Sequence, residues 1–148
     1  MNKLYVLYDG SCGVCVAARS WMGRQPALVD LEFVTAGSPT ARLLFPELAS
    51  ATEELTVVSD TGEVWRGTDA WLMCLWALAE YREWSVRLAS PSLAPVARQA
   101  FTLLSKNRRK LSDWLHLLPE DVVADRLRGA GPPACAVPAP PRAFRVSA

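Results

Sequence analysis

Two cysteines three residues apart, Cys12 and Cys15, stand where an apolar run gives way to a helical pattern, and that junction limits the folds open to this chain. Leu4 to Tyr8 shows no polar alternation, which suits a short central strand covered on both faces. Asp9-Gly10-Ser11 breaks the run. Val14, Ala17, Ala18, Trp21 and Met22 then fall on one helical face, and Gly23 and Pro26 end the helix. A strand that delivers a Cys-x-x-Cys pair to the start of a helix places Cys12 among unpaired backbone N–H groups at the positive end of the dipole. Both favour a thiolate over a thiol. Cys15 lies one turn further on, on the same side, within reach of the Cys12 sulfur.

The remaining pattern extends this junction into an α/β fold. Val29, Leu31 and Phe33 alternate with Asp30 and Glu32, as in a strand with one solvated face, so strand, helix and strand form a parallel βαβ unit. Ser38-Pro39 reads as an N-cap and first helical position, opening a short helix through Phe45. Leu55 to Ser59 and Glu63 to Arg66 flank Asp60-Thr61-Gly62, a hairpin signal. Thr68 or Asp69 caps an apolar helix running from Ala70 to Tyr81. The usual handedness rules give a four-stranded mixed sheet, first strand central, with helices on both faces.

Beyond it, Tyr81 to Ser90 reads as a connection. Two helices follow, Leu93 to Leu104 and Leu111 to Leu118, separated by a basic stop at Asn107-Arg108-Arg109-Lys110. Pro119-Glu120-Asp121 opens a last short helix, Val122 to Leu127. From Gly129 onward the chain is Pro/Ala-rich, holding five of its 11 prolines, and cannot build a core. Three regions result: a redox core over 1–82, a helical basic extension over 83–128 packed on or beside it, and a flexible tail over 129–148.

Charge follows this division. Residues 1–80 carry five basic and ten acidic side chains, and residues 81–148 carry eleven and five. The acidic first half does not fit a nucleic-acid footprint. Four cysteines in 148 residues are too few for a disulfide-dense secreted scaffold, and no signal peptide is visible. The longest apolar stretch, Ala70 to Ala79, is about half of a membrane span. The expectation is a cytoplasmic protein whose thiols rest reduced.

Thiol–disulfide exchange needs an exposed, low-pKa thiolate and a second thiol to resolve the mixed disulfide. Cys12 fits the first role and Cys15 the second. Asp9 has three readings: a charge that opposes the thiolate, an acceptor for the Cys15 proton, or a cap on the turn. The pair alone cannot complete a zinc site, because the only histidine is His116 and there is no second Cys-x-x-Cys. No cofactor or metal is therefore expected beyond the dithiol itself. Two alternatives stay open. One is a metal or iron–sulfur cluster shared between two chains, each giving Cys12 and Cys15. The other is an interaction or membrane-surface adaptor contacting acidic lipid through Arg108, Arg109 and Lys110. Cys74 reads as a buried structural thiol and Cys135 as a bystander in the tail.

With these residues laid out, the chain resembles the DCC family of thiol-disulfide oxidoreductases, named for an Asp-x-x-Cys-x-x-Cys motif. Asp9, Cys12 and Cys15 match that motif within Tyr8-Asp9-Gly10-Ser11-Cys12-Gly13-Val14-Cys15. Arg66-Gly67-Thr68-Asp69-Ala70 and Asn107-Arg108-Arg109-Lys110-Leu111-Ser112 extend the resemblance, which spans roughly residues 3 to 118. It implies a thioredoxin-like fold and protein-disulfide reductase or similar exchange activity. A protein or small-molecule disulfide would be the substrate and an external thiol the reductant. Thioredoxins and glutaredoxins carry a proline before their third strand, facing the Cys-x-x-Cys. Here Thr52-Glu53-Glu54 stands in that place.

Overall fold

The structure, a computed structural model, describes residues 1–48 and 54–129. Thr52, Glu53, Cys135 and the Pro/Ala-rich segment beyond residue 129 lie outside the described residues. The elements run β1 (Lys3–Tyr8), α1 (Gly13–Met22), β2 (Asp30–Thr35), α2 (Pro39–Leu44), β3 (Thr56–Ser59), β4 (Val64–Arg66), α3 (Thr68–Ala77), α4 (Arg82–Leu88), α5 (Ala94–Trp114) and α6 (Glu120–Gly129).

The four strands form one sheet in the order β2-β1-β3-β4. β1 pairs parallel with β2, Val6 opposite Phe33, and antiparallel with β3, Val6 opposite Val57. β3 and β4 form the hairpin, with Asp60-Thr61-Gly62 at its tip. This mixed sheet flanked by helices is a thioredoxin-like fold. β1 has no polar alternation because both its faces are covered: Leu4, Val6 and Leu7 are fully buried. Leu4, Val6 and Val57 pack with Met22 of α1 and with Ala70, Cys74 and Ala77 of α3 in the main core.

The helices depart from the sequence pattern in three places. α3 stops at Ala77 rather than Tyr81, because Leu78 turns extended and bridges Ala27. The Leu28 N–H donates to the Ala77 carbonyl and the Ala79 N–H to the Pro26 carbonyl, so the loop after α1 captures backbone that the helix would otherwise use. The segment read as a connection contains α4. Ser85 is its only buried residue, which leaves almost no apolar stripe to detect, and the Arg82 guanidinium lies over the Trp76 ring at 4.1 Å. Finally, α5 is one helix of 21 residues running straight through Asn107-Arg108-Arg109-Lys110. Arginine and lysine are good helix formers, and no glycine or proline interrupts them, so a basic run alone does not stop a helix.

α5 packs on α1 and α3, with the Phe101 ring stacked on Trp71 at 5.8 Å. It ends in a Schellman motif. The Leu117 N–H donates to the Ser112 carbonyl and the His116 N–H to the Asp113 carbonyl. His116 takes the left-handed conformation, φ 53°, usual for this motif. That turn throws the chain back across the sheet end that holds the cysteines.

Candidate active site

β1 ends at Tyr8, and the next four residues make the turn into α1. Asp9 holds that turn: its Oδ1 accepts the Ser11 N–H at 2.9 Å and the Ser11 hydroxyl at 2.6 Å. Cys12 is the N-cap of α1, with extended backbone, φ −99° and ψ 109°. Its sulfur accepts the Cys15 backbone N–H at 3.4 Å, the contact a serine or aspartate oxygen makes at an ordinary N-cap.

The two thiols are electrostatically unlike. Cys12 is pulled down to about 6, first by a hydrogen bond from the Cys15 thiol, then by the Cys15 backbone N–H and the Arg108 charge; burial and Asp9 oppose these. Cys15 is pushed far up, because its proton is held against the Cys12 sulfur, it is buried, and a second anion would repel the first. One proton is thus shared unequally between the pair. Cys74 is fully buried in α3, and burial pushes its thiol up to about 12.

Residues far along the chain complete the site. The Ser112 hydroxyl accepts the Val14 N–H at 3.0 Å, filling a donor that the first turn of α1 leaves open, and donates to the Arg108 carbonyl at 2.8 Å. Arg108 Nη2 lies 3.5 Å from Asp9 Oδ2, with the two side chains only 14% and 8% exposed. Arg108 is therefore turned inward, in contrast to the surface role read from the basic run; Arg109 and Lys110 are exposed. The Arg19 guanidinium sits over the Tyr8 ring at 5.8 Å.

After α5, Leu117 to Glu120 lies over the cysteine turn as a strap. A Cβ on Gly13 would fall 2.5 Å from the Leu117 carbonyl oxygen, so the approach requires glycine. The Glu120 N–H donates to the Gly10 carbonyl at 2.9 Å. The Glu120 carboxylate accepts the Tyr8 hydroxyl at 2.9 Å and the Thr35 hydroxyl at 3.2 Å. Under this cover Cys12 is only 2% exposed, where the chemistry called for an open thiolate. A cleft of about 360 Å³ is lined by Cys12 together with Ser11, Arg109, Asp113, Leu117 and Pro119.

The strand-to-helix junction placed Asp9, Cys12 and Cys15 together from local pattern alone. Arg108, Ser112 and Glu120 carry no such signal. The only sequence trace of Arg108 and Ser112 is the segment Asn107 to Ser112 within the resemblance, where nothing tells which side chains turn inward, and Glu120 shows in the sequence only as the opening of the last helix. Among the described residues, no three His, Cys, Asp or Glu side chains cluster as metal ligands, and no helix is long and apolar enough to cross a membrane.

Comparison with known proteins agrees with this geometry. No curated protein and no solved structure matches the chain. The family model of the DCC1-like thiol-disulfide oxidoreductases matches residues 6–114, which include Asp9, Cys12, Cys15, Arg108 and Ser112. The chain belongs to the DCC1-like thiol-disulfide oxidoreductase family.

Proposed function

We propose that this protein is a disulfide reductase working through the Cys12–Cys15 pair. The Cys12 thiolate attacks one sulfur of a substrate disulfide. The other sulfur leaves as a thiolate, and Cys12 is joined to substrate as a mixed disulfide. Cys15 then loses its proton and attacks the Cys12 sulfur. The remaining substrate thiolate departs, and a Cys12–Cys15 disulfide forms. An external thiol reductant returns the two electrons. No organic cofactor enters. The proton held on Cys15 reaches the departing thiolate or solvent, and Asp9 is a candidate to assist that transfer.

One observation carries this reading: the Cys12 sulfur caps α1 by accepting the Cys15 N–H, one helical turn before the second thiol. That arrangement stabilises one anion and keeps the second thiol protonated and adjacent. The strap over Cys12 favours exchange chemistry over a cluster shared by two chains, which needs both sulfurs open to a partner. It also favours a substrate that presents its disulfide on an extended peptide or small molecule, able to enter the cleft beside Arg109 and Asp113. A cytoplasmic location, where thiols are kept reduced, fits a dithiol resting state.

A redox titration with thiol counting on intact protein tests the scheme. Two thiols should disappear together at one potential in the wild type. Cys15→Ser should instead accumulate a mixed disulfide at Cys12. A pair that stays reduced across the biological range, about −120 to −320 mV, would defeat it.

A further inference from the structure

Asp9 poses a problem that the exchange scheme does not solve. A carboxylate only 8% exposed stands beside a thiol that must ionise. Two anions so placed repel each other, and burial weakens the screening that water would give. The turn needs the carboxylate for Ser11, but the Ser11 contacts occupy only Oδ1. Oδ2 points to Arg108, which α5 brings in from the far end of the family segment.

Several features fix the guanidinium there. Ser112, one turn further along α5, is bonded to the first turn of α1 and to the Arg108 carbonyl. The Arg108 side chain lines a small cavity with Val14, Cys15, Leu55, Trp71 and Leu104, under the cysteine turn. An arginine in such a place stays charged, whereas a lysine is prone to lose its proton when buried. Its planar fork offers donors in more than one direction, so one arm can hold Asp9 while the charge stays beside the cavity it shares with Cys15.

Building on the dithiol scheme above, we propose that Arg108 is a positioning residue that holds Cys12 as a thiolate, and that Asp9 is in the motif to anchor this arginine. Asp9 then acts on the thiol through Arg108. In the reduced state one cation is shared by two anions, Asp9 and the Cys12 thiolate. The extension beyond the sheet is thereby part of the redox centre.

The test is the ionisation of Cys12 in the full chain, followed by thiolate absorbance and by the pH dependence of iodoacetamide alkylation mapped to the Cys12 peptide. Wild type, Arg108→Lys, Arg108→Gln and the double variant Asp9→Asn/Arg108→Gln are compared after thermal melts confirm folding. The Cys12 midpoint should rise by about one unit or more in Arg108→Gln, so that its thiolate population near pH 6 falls about fivefold or more. Arg108→Lys should recover at least half of that shift. The double variant removes the Asp9 carboxylate together with its cation, so it reports even if Arg108→Gln does not fold, and its midpoint should also lie above wild type.

A wild-type midpoint near 6 that all three variants share overturns the role of Arg108 and leaves the dithiol scheme standing. A lysine variant that shifts as far as the glutamine variant assigns Arg108 to structure and overturns the proposal. A wild-type Cys12 titrating like a free thiol, near 8.5, brings down the dithiol scheme itself.

Discussion

At the scale of single residues, Cys12 turns a capping position into a chemical one. Its sulfur takes the place of an N-cap oxygen, so in the proposed exchange the attacking anion is also the one that the helix start stabilises. This links reactivity to folding, and the sign is definite. The folded Cys12 ionises near 6, below the value of about 8.5 expected of an unfolded cysteine. Stability from the thiolate is fully present above the unfolded value and is lost as pH falls through the folded one. Cys15, pushed upward, acts oppositely and costs stability only above about 8.5. The reduced protein should therefore melt at increasing temperature as pH is raised from about 5.5 to 8, relative to Cys12→Ser. Equal slopes in the two proteins would show that Cys12 is not ionised by the fold. That Cys12 starts the helix was legible from sequence, because strand, turn and helix follow one another without a gap. The partner of Asp9 was not, because a salt bridge between distant segments leaves no periodicity.

At the scale of elements, the turn between α5 and α6 is as much part of the site as α1. Gly13 records this: no side chain fits between α1 and the Leu117 carbonyl. Gly13→Ala should push the strap away. Overpacking of this kind typically costs about 1–3 kcal/mol, to be read from urea denaturation of the reduced protein. Alkylation of Cys12 should accelerate at the same time, since the cover is displaced. Slower alkylation with unchanged stability would contradict the contact. The continuous α5 explains why the basic run misled: Arg108, Arg109 and Lys110 look alike in sequence, but successive residues on a helix point about 100° apart. One therefore faces the core while its neighbours face water. α4 escaped notice for the opposite reason, since a seven-residue helix with one buried position has hardly any pattern to show.

At the scale of the whole molecule, one sheet carries two unlike thiol environments. β1 delivers Cys12 to an edge of the structure, and α3 buries Cys74 against the middle of the sheet beside Leu4, Val6 and Val57. Cys74 is fully buried and held protonated. Brief iodoacetamide treatment of the native reduced protein at pH 7 should label Cys12 and spare Cys74, with labelling at Cys74 appearing only in denaturant. Rapid native labelling of Cys74 would mean that α3 opens freely. The layered sheet itself was readable, because β1 is apolar throughout and the hairpin tip carries Asp60-Thr61-Gly62. The assembly of the site from both ends of the chain was not, because it depends on where α5 comes to rest.

The Ser112–Val14 contact joins residues 98 positions apart, and this has a consequence for synthesis. Translation at about 5–20 residues per second puts roughly 5–20 s between the appearance of the cysteine turn and that of the residues that cap and cover it. During that interval the ribosome-bound chain displays Cys12 and Cys15 without their arginine and without their strap, whereas all four strands of the sheet precede Cys74 in the chain. The newborn chain meets oxidants with an uncovered Cys12–Cys15 pair, and the finished one with that pair under its strap. The cover over the pair is complete only once the last helices arrive.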